Sequence, residues 1–194
     1  MLGKTAIGVY HLLNKPIQIH TESLDDDTVW SSIKYFCNKN YQFIWFITIP
    51  EDSYKLQKKM HNLILGYKLT LTKKEYYKKW TERIKWLKQN NQKFGLHIHL
   101  SCTRKELVKV DQERKIKNAI NFSKKLGISF DGKFAAGWWI FNKTTLDLLI
   151  KYNFSKVYYF TENPTDFLRK KYYKTIELIP VRVYFHDYNL PKYR

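Results

Sequence analysis

At 194 residues the chain is long enough for one sizeable hydrophobic core and short for two, so a single domain over residues 1–194 is expected. An apolar share of 44% and an aromatic share of 17% exclude general disorder. A formal charge of +18, from 35 Lys and Arg against 17 Asp and Glu, favours polyanionic partners, nucleic acid among them, without naming one. No apolar run approaches the ~20 residues that cross a bilayer. Met1 to Leu13 is broken by Tyr10 and His11 and is followed by no small-residue cleavage site, so no signal peptide is read and a cytoplasmic location is the default. Cys37 and Cys102 have neither zinc-knuckle nor disulfide-framework spacing and read as ordinary semi-buried thiols.

Strands alternate with helices along the chain. Lys15 to Glu22, with Ile17 and Ile19 alternating with Gln18 and His20, reads as a strand running into the acidic turn Glu22-Ser23-Leu24-Asp25-Asp26-Asp27. A helix capped by Asp27 or Thr28 follows, with Val29, Ile33 and Phe36 or Cys37 at helical spacing up to Asn40. Phe43 to Ile49 is a continuous β-favouring run stopped by Pro50, as in a strand buried on both faces. Glu51 to Tyr67 reads as helix and loop. Thr72-Lys73-Lys74-Glu75 matches a capping box, and Tyr76, Trp80, Ile84 and Leu87 then share one helical face up to Asn90-Asn91.

The next strand holds Phe94-Gly95-Leu96-His97-Ile98-His99-Leu100. Asp111 is expected to cap a helix with Ile116, Ala119, Ile120, Ser123 and Leu126 inward, closed by Gly127. Phe134 to Ile140 reads as a strand, Asn142 as the cap of a helix carrying Leu146, Leu149 and Ile150, and Val157 to Phe160 as a short strand. After a polar excursion from Thr161 to Thr175, Val181 to His186 closes the series. About six strands separated by amphipathic helices give an α/β architecture with parallel strands, open or closed into a barrel. Lysines within Lys55–Lys59, Lys73–Lys79, Lys85–Lys93 and Lys115–Lys125 fall in segments of helical period and read mostly as solvated faces.

His97 and His99, two apart on a strand, point to one face and make half of a metal site. Imidazole suits zinc, iron, nickel and copper, and the missing ligands should be carboxylates. Glu22, His97, His99 and His186 all fall near C-terminal ends of strands, where α/β proteins build their sites. Each has a plainer reading as a rim or core residue, and Asp25 to Asp27 as a helix-start cluster favoured by the macrodipole. Trp138 and Trp139 alternate across their strand, which puts at least one in the core. His11 and His61 read as surface or packing residues.

The order of these segments resembles the polysaccharide deacetylase family. The resemblance runs through Ile17-Gln18-Ile19-His20-Thr21-Glu22, Phe43 to Ile49, Gly95-Leu96-His97-Ile98-His99, Phe134-Ala135-Ala136-Gly137-Trp138-Trp139, Leu146 to Phe154 and Val183-Tyr184-Phe185-His186. It implies one deacetylase-like domain over 1–194, a distorted (β/α) barrel of about seven parallel strands, and removal of acetyl groups from a carbohydrate with one divalent metal ion, zinc first and nickel, cobalt or iron as alternatives. On that pattern Glu22, His97 and His99 hold the metal, His20 or one of Asp25 and Asp26 is the base, and His186 is the acid. Trp138, Trp139 and Tyr188 would offer flat faces to sugar rings. The sequence departs from the pattern at the base, which falls at about His20. It departs again at the second histidine, where Ser101 stands and His99 must substitute, and at the bracing arginine, where Ala135 stands. A catalytically degenerate barrel that binds glycan or a polyanion is the alternative that these departures leave open.

Overall fold

The computed structural model describes residues 17–41, 43–60, 69–100, 109–160, 171–181, 185–186 and 190. The chain divides into two compact units, the first running to Lys93 and taking back the stretch from Phe185, the second running from Phe94 to Tyr184.

In the first unit, β1 (Ile17–His20) lies parallel to β2 (Phe43–Ile47) on one side and, in register His20 with His186, to β8 (Phe185–His186) on the other. All five residues of β2 are buried, as its uninterrupted apolar run requires. The strand stops before Pro50, which opens α2 (Pro50–Met60), a position where the missing N–H costs nothing. α1 (Asp27–Asn38) buries Val29, Ser32, Ile33, Phe36 and Cys37, but its cap is Asp26 rather than Asp27 or Thr28. Asp26 Oδ1 accepts from the amides of Thr28 at 2.7 Å and Val29 at 2.9 Å.

α3 (Lys73–Gln89) carries the expected capping box, with Thr72 and Glu75 satisfying each other's backbone donors. Tyr76, Trp80, Ile84 and Leu87 are all fully buried. Trp80 Nε1 donates to Thr48 O at 3.1 Å, and Gln92 Oε1 accepts from Trp45 Nε1 at 3.0 Å, so the large core aromatics have satisfied polar tips.

In the second unit β3 (Lys93–Ile98, from Phe94 on), β4 (Lys133–Ala136), β5 (Lys156–Phe160) and β7 (Ile176–Val181) are successive parallel neighbours. β6 (Tyr172–Tyr173) pairs antiparallel with β7 as a hairpin. The polar excursion thus ends in a strand pair; of the strand expected over Val181 to His186, Val181 closes β7 and Phe185–His186 form β8, while residues 182–184 lie outside the described residues. α4 (Lys109–Leu126) buries Ile116, Ala119 and Ser123, with Ile120 and Leu126 half-buried. Asp111 sits in its first turn rather than at its cap. α5 (Lys143–Lys151) has the expected Asn142 cap, paired with Thr145. The architecture is α/β, and among the described residues every strand pairing within each unit is parallel except β6 with β7.

The strand expected from Phe134 to Ile140 ends at Ala136 and gives way to a 3-10 turn over Gly137–Trp139. Trp138 and Trp139 therefore do not alternate across a strand. Trp138 is 45% exposed and Trp139 half-buried, so neither is core.

Candidate functional site

The first unit carries His20, Glu22, Asp25 and His186, and it brings His186 against both His20 and Glu22. Pairing of β1 with β8 sets His20 beside His186, their ring centroids 5.8 Å apart and nearly perpendicular. His186 Nδ1 lies 3.4 Å from Glu22 Oε1, so residues distant in sequence do meet at the strand ends. His20 is buried and packs on Phe46 at 5.4 Å.

Glu22 follows a firmly stitched residue. Thr21 donates from both its amide and its hydroxyl to Phe46 O, each at 3.1 Å. Its Oγ1 accepts from the Thr48 amide at 3.3 Å, while Thr48 Oγ1 donates to Thr21 O at 3.2 Å. Beyond Glu22, Asp25 is buried and burial pushes its carboxyl up to about 6. Arg83 and Lys79 pull it down and Asp26 pushes it further up, all by smaller amounts than burial. Asp27 is exposed and paired with Lys79 and Arg83, and the Lys79 bond above all holds its carboxyl below the ordinary range.

The second unit contributes the histidine pair. His97, on β3, is buried, and its Nδ1 lies 3.0 Å from the carbonyl oxygen of Ala135, its register partner on β4. A carbonyl only accepts, so Nδ1 carries the proton and the ring lone pair falls on Nε2. The His99 ring meets His97 edge-on, centroids 4.8 Å apart, as the i, i+2 spacing required. His99 rests over Gly137, where a Cβ would come within 2.7 Å of ring Cε1, and it faces Trp138 at 5.7 Å.

Lys115 of α4 donates to the carbonyls of His99 at 2.6 Å and Leu100 at 3.4 Å, tying down the end of β3. Trp139 stacks on Phe160 at 5.9 Å. The sequence pattern does not mark Gly137, Lys115 or Arg83 as site residues. The glycine beside the two tryptophans is the one local signal; the two cations are hidden in helices whose basic residues read as solvent-facing. Tyr188, Cys102, Ser101, His11 and His61 lie outside the described residues. Among the described residues no helix is long and apolar enough to cross a membrane.

No protein-family model matches the chain, and no curated protein matches it. Among solved structures it is similar to one described as "Crystal structure of putative polysaccharide deacetylase from Mycobacterium smegmatis", with 11% sequence identity and a TM-score of 0.46. The similarity covers 71% of this chain and 40% of that one.

Proposed function

We propose that this chain is a metal-dependent hydrolase that removes acetyl groups from a carbohydrate, with Glu22, His97 and His99 holding one divalent cation, zinc first and nickel, cobalt or iron as alternatives. The observation that carries the reading is the bond from His97 Nδ1 to the Ala135 carbonyl. It fixes the tautomer and orientation that a metal-ligating imidazole needs, by the kind of backbone partner such ligands use. His97 and His99 each offer a ring nitrogen from one strand end, and we take Glu22 as the carboxylate of the set. Two imidazoles and a carboxylate suit a borderline-soft cation and leave coordination open for reactants. The order of motifs along the sequence supports the same reading, and the (β/α) barrel belongs to it.

A cation held there would polarise an acyl carbonyl and lower the pKa of water. Asp25 takes the water's proton on a carboxylate oxygen; burial makes it a better base than an ordinary aspartate. His20 is the second candidate for that task. Asp26 holds the start of α1 through Oδ1, and we assign it to the helix rather than to the reaction. As the water oxygen bonds to the acyl carbon, the C–N or C–O bond breaks and His186 passes a proton from Nε2 to the leaving amine or alcohol. His186 Nδ1 stays turned toward Glu22. Trp138 and Trp139 offer aromatic faces to sugar rings, with Tyr188 as a further candidate.

Ala135 favours a second reading, since this buried methyl side chain has no head group to brace a base. A degenerate barrel would keep the cation, bind a glycan or a polyanion such as nucleic acid, and turn nothing over; the charge of +18 suits the polyanion. Elemental analysis of purified wild type and a His97→Ala/His99→Ala double variant, each also incubated with an acetylated chitooligosaccharide, separates the cases. Stoichiometric metal lost in the variant, with acetate released by wild type alone, is the expected result. Metal without acetate favours the second reading, and no metal in either protein after reloading with zinc rejects both.

A further inference from the structure

The segment from Thr21 to Asp26 presents Glu22 and Asp25 without a strand or helix of its own to hold it. Its first residue is stitched to Thr48 and Phe46. Its far end is held from α3. Arg83 donates Nη1 to the carbonyls of Leu24 and of Asp26, the latter at 2.9 Å, and Nη2 to the Asp27 carboxylate. The guanidinium carbon lies 5.2 Å from the centre of the Trp30 ring. Lys79, one turn earlier, donates to both Asp27 oxygens at 2.9 Å and to Asp25 O at 3.4 Å.

Arg83 is buried on a helix face otherwise given to Tyr76, Trp80, Ile84 and Leu87. Taking a guanidinium out of water is costly, and an apolar side chain would pack there without that cost. What the guanidinium adds is a planar fork that reaches two carbonyls and a carboxylate together, a geometry that an ammonium group does not reproduce. We propose that Arg83 is a positioning residue for the metal centre, fixing the backbone that presents Glu22 and Asp25 by gripping the carbonyls of Leu24 and Asp26. This rests on the metal-dependent reading above.

Arg83→Met and Arg83→Lys, made in the full chain, test it through three measurements: thermal melting, zinc affinity by competition with a chromophoric chelator, and amide hydrogen exchange over Glu22 to Asp26. In the Met variant exchange over that segment should accelerate and zinc affinity should fall by roughly 10- to 100-fold, the range for partners that orient a metal ligand. The Lys variant should be intermediate, because it restores the charge without the fork. A Met variant that melts lower yet exchanges and binds zinc like wild type overturns the proposal and leaves Arg83 a stability residue. A Lys variant equal to wild type in both also overturns it, because charge alone would then suffice. If the Met variant does not fold, the Lys variant decides by the same two readouts. Wild type that binds no zinc would defeat the metal reading, and the exchange measurement would still decide whether Arg83 holds the segment.

Discussion

The His99 ring lies over Gly137 with no room for a Cβ between them. The residue that follows β4 thereby sets how close the second imidazole of the pair can approach the backbone of the neighbouring strand.

Gly137→Ala should displace the His99 ring while leaving His97 on its carbonyl partner. The expected result is a stability loss of about 1–3 kcal/mol from overpacking, and a fall in zinc affinity of at least about tenfold. Thermal melting with zinc titration checks both; unchanged zinc affinity would show that His99 is not a ligand.

Asp25 makes stability depend on pH in an uncommon direction. Its carboxyl ordinarily titrates at 3.8 and burial pushes it up to about 6. Between those values the folded chain keeps a proton that the unfolded chain has released, so this group's contribution to stability falls as pH rises through the window and levels off above it. Asp25→Asn should remove the penalty and gain up to about 3 kcal/mol at neutral pH relative to wild type. Urea unfolding at pH 4.5 and pH 7 is the measurement, read as the difference between the two proteins, since Asp27, Glu113 and Asp147 are held low and titrate with the opposite sign in both.

Thr48→Val keeps the shape of the side chain and deletes its bond to Thr21 O. The lost bond and the stranded carbonyl should cost about 1–2 kcal/mol. Faster amide exchange at Thr21 and Glu22 should accompany the loss; a destabilised protein with unchanged exchange there would show that the stitch does not control the loop.

Cys37 should resist thiol reagents while the chain is folded. Burial pushes its thiol up to about 12, leaving on the order of a thousandfold less thiolate than an ordinary cysteine at the same pH. Peptide mapping after brief alkylation at pH 8, with and without denaturant, should find residue 37 modified only when denaturant is present.

Local signals were the ones legible in the sequence. The capping box at Thr72 and the repeat through Leu87 are complete within a few turns, and α3 forms as they dictate. The His97 and His99 spacing carries its geometry in the period of the strand, and the rings do converge. The misses come where tertiary context overrides a local pattern. Phe134 to Ile140 is apolar throughout, yet the strand breaks at Gly137, Trp138 is exposed and Trp139 stays half-buried. Pro180 interrupts the run of β7, which is tolerated because it stands at an exposed position. The Asp26 cap was one residue from the expected pair, within the slack of an acidic run. Arg83 and Lys115 were illegible because their partners, the carbonyls of Leu24, Asp26, His99 and Leu100, are brought to them only by the fold.

The turn after β4 has a consequence for anyone who improves this protein by selection. Trp138 and Trp139 both hold a left-handed backbone, with φ of 55° and 56°, a conformation that costs a side-chain-bearing residue about 1–2 kcal/mol each. Glycine or asparagine would relieve that strain, so a library screened only for heat resistance should drift toward those residues at 138 and 139. Such survivors would have shed the indole that faces His99, and melting temperature would be a misleading guide to fitness at this turn.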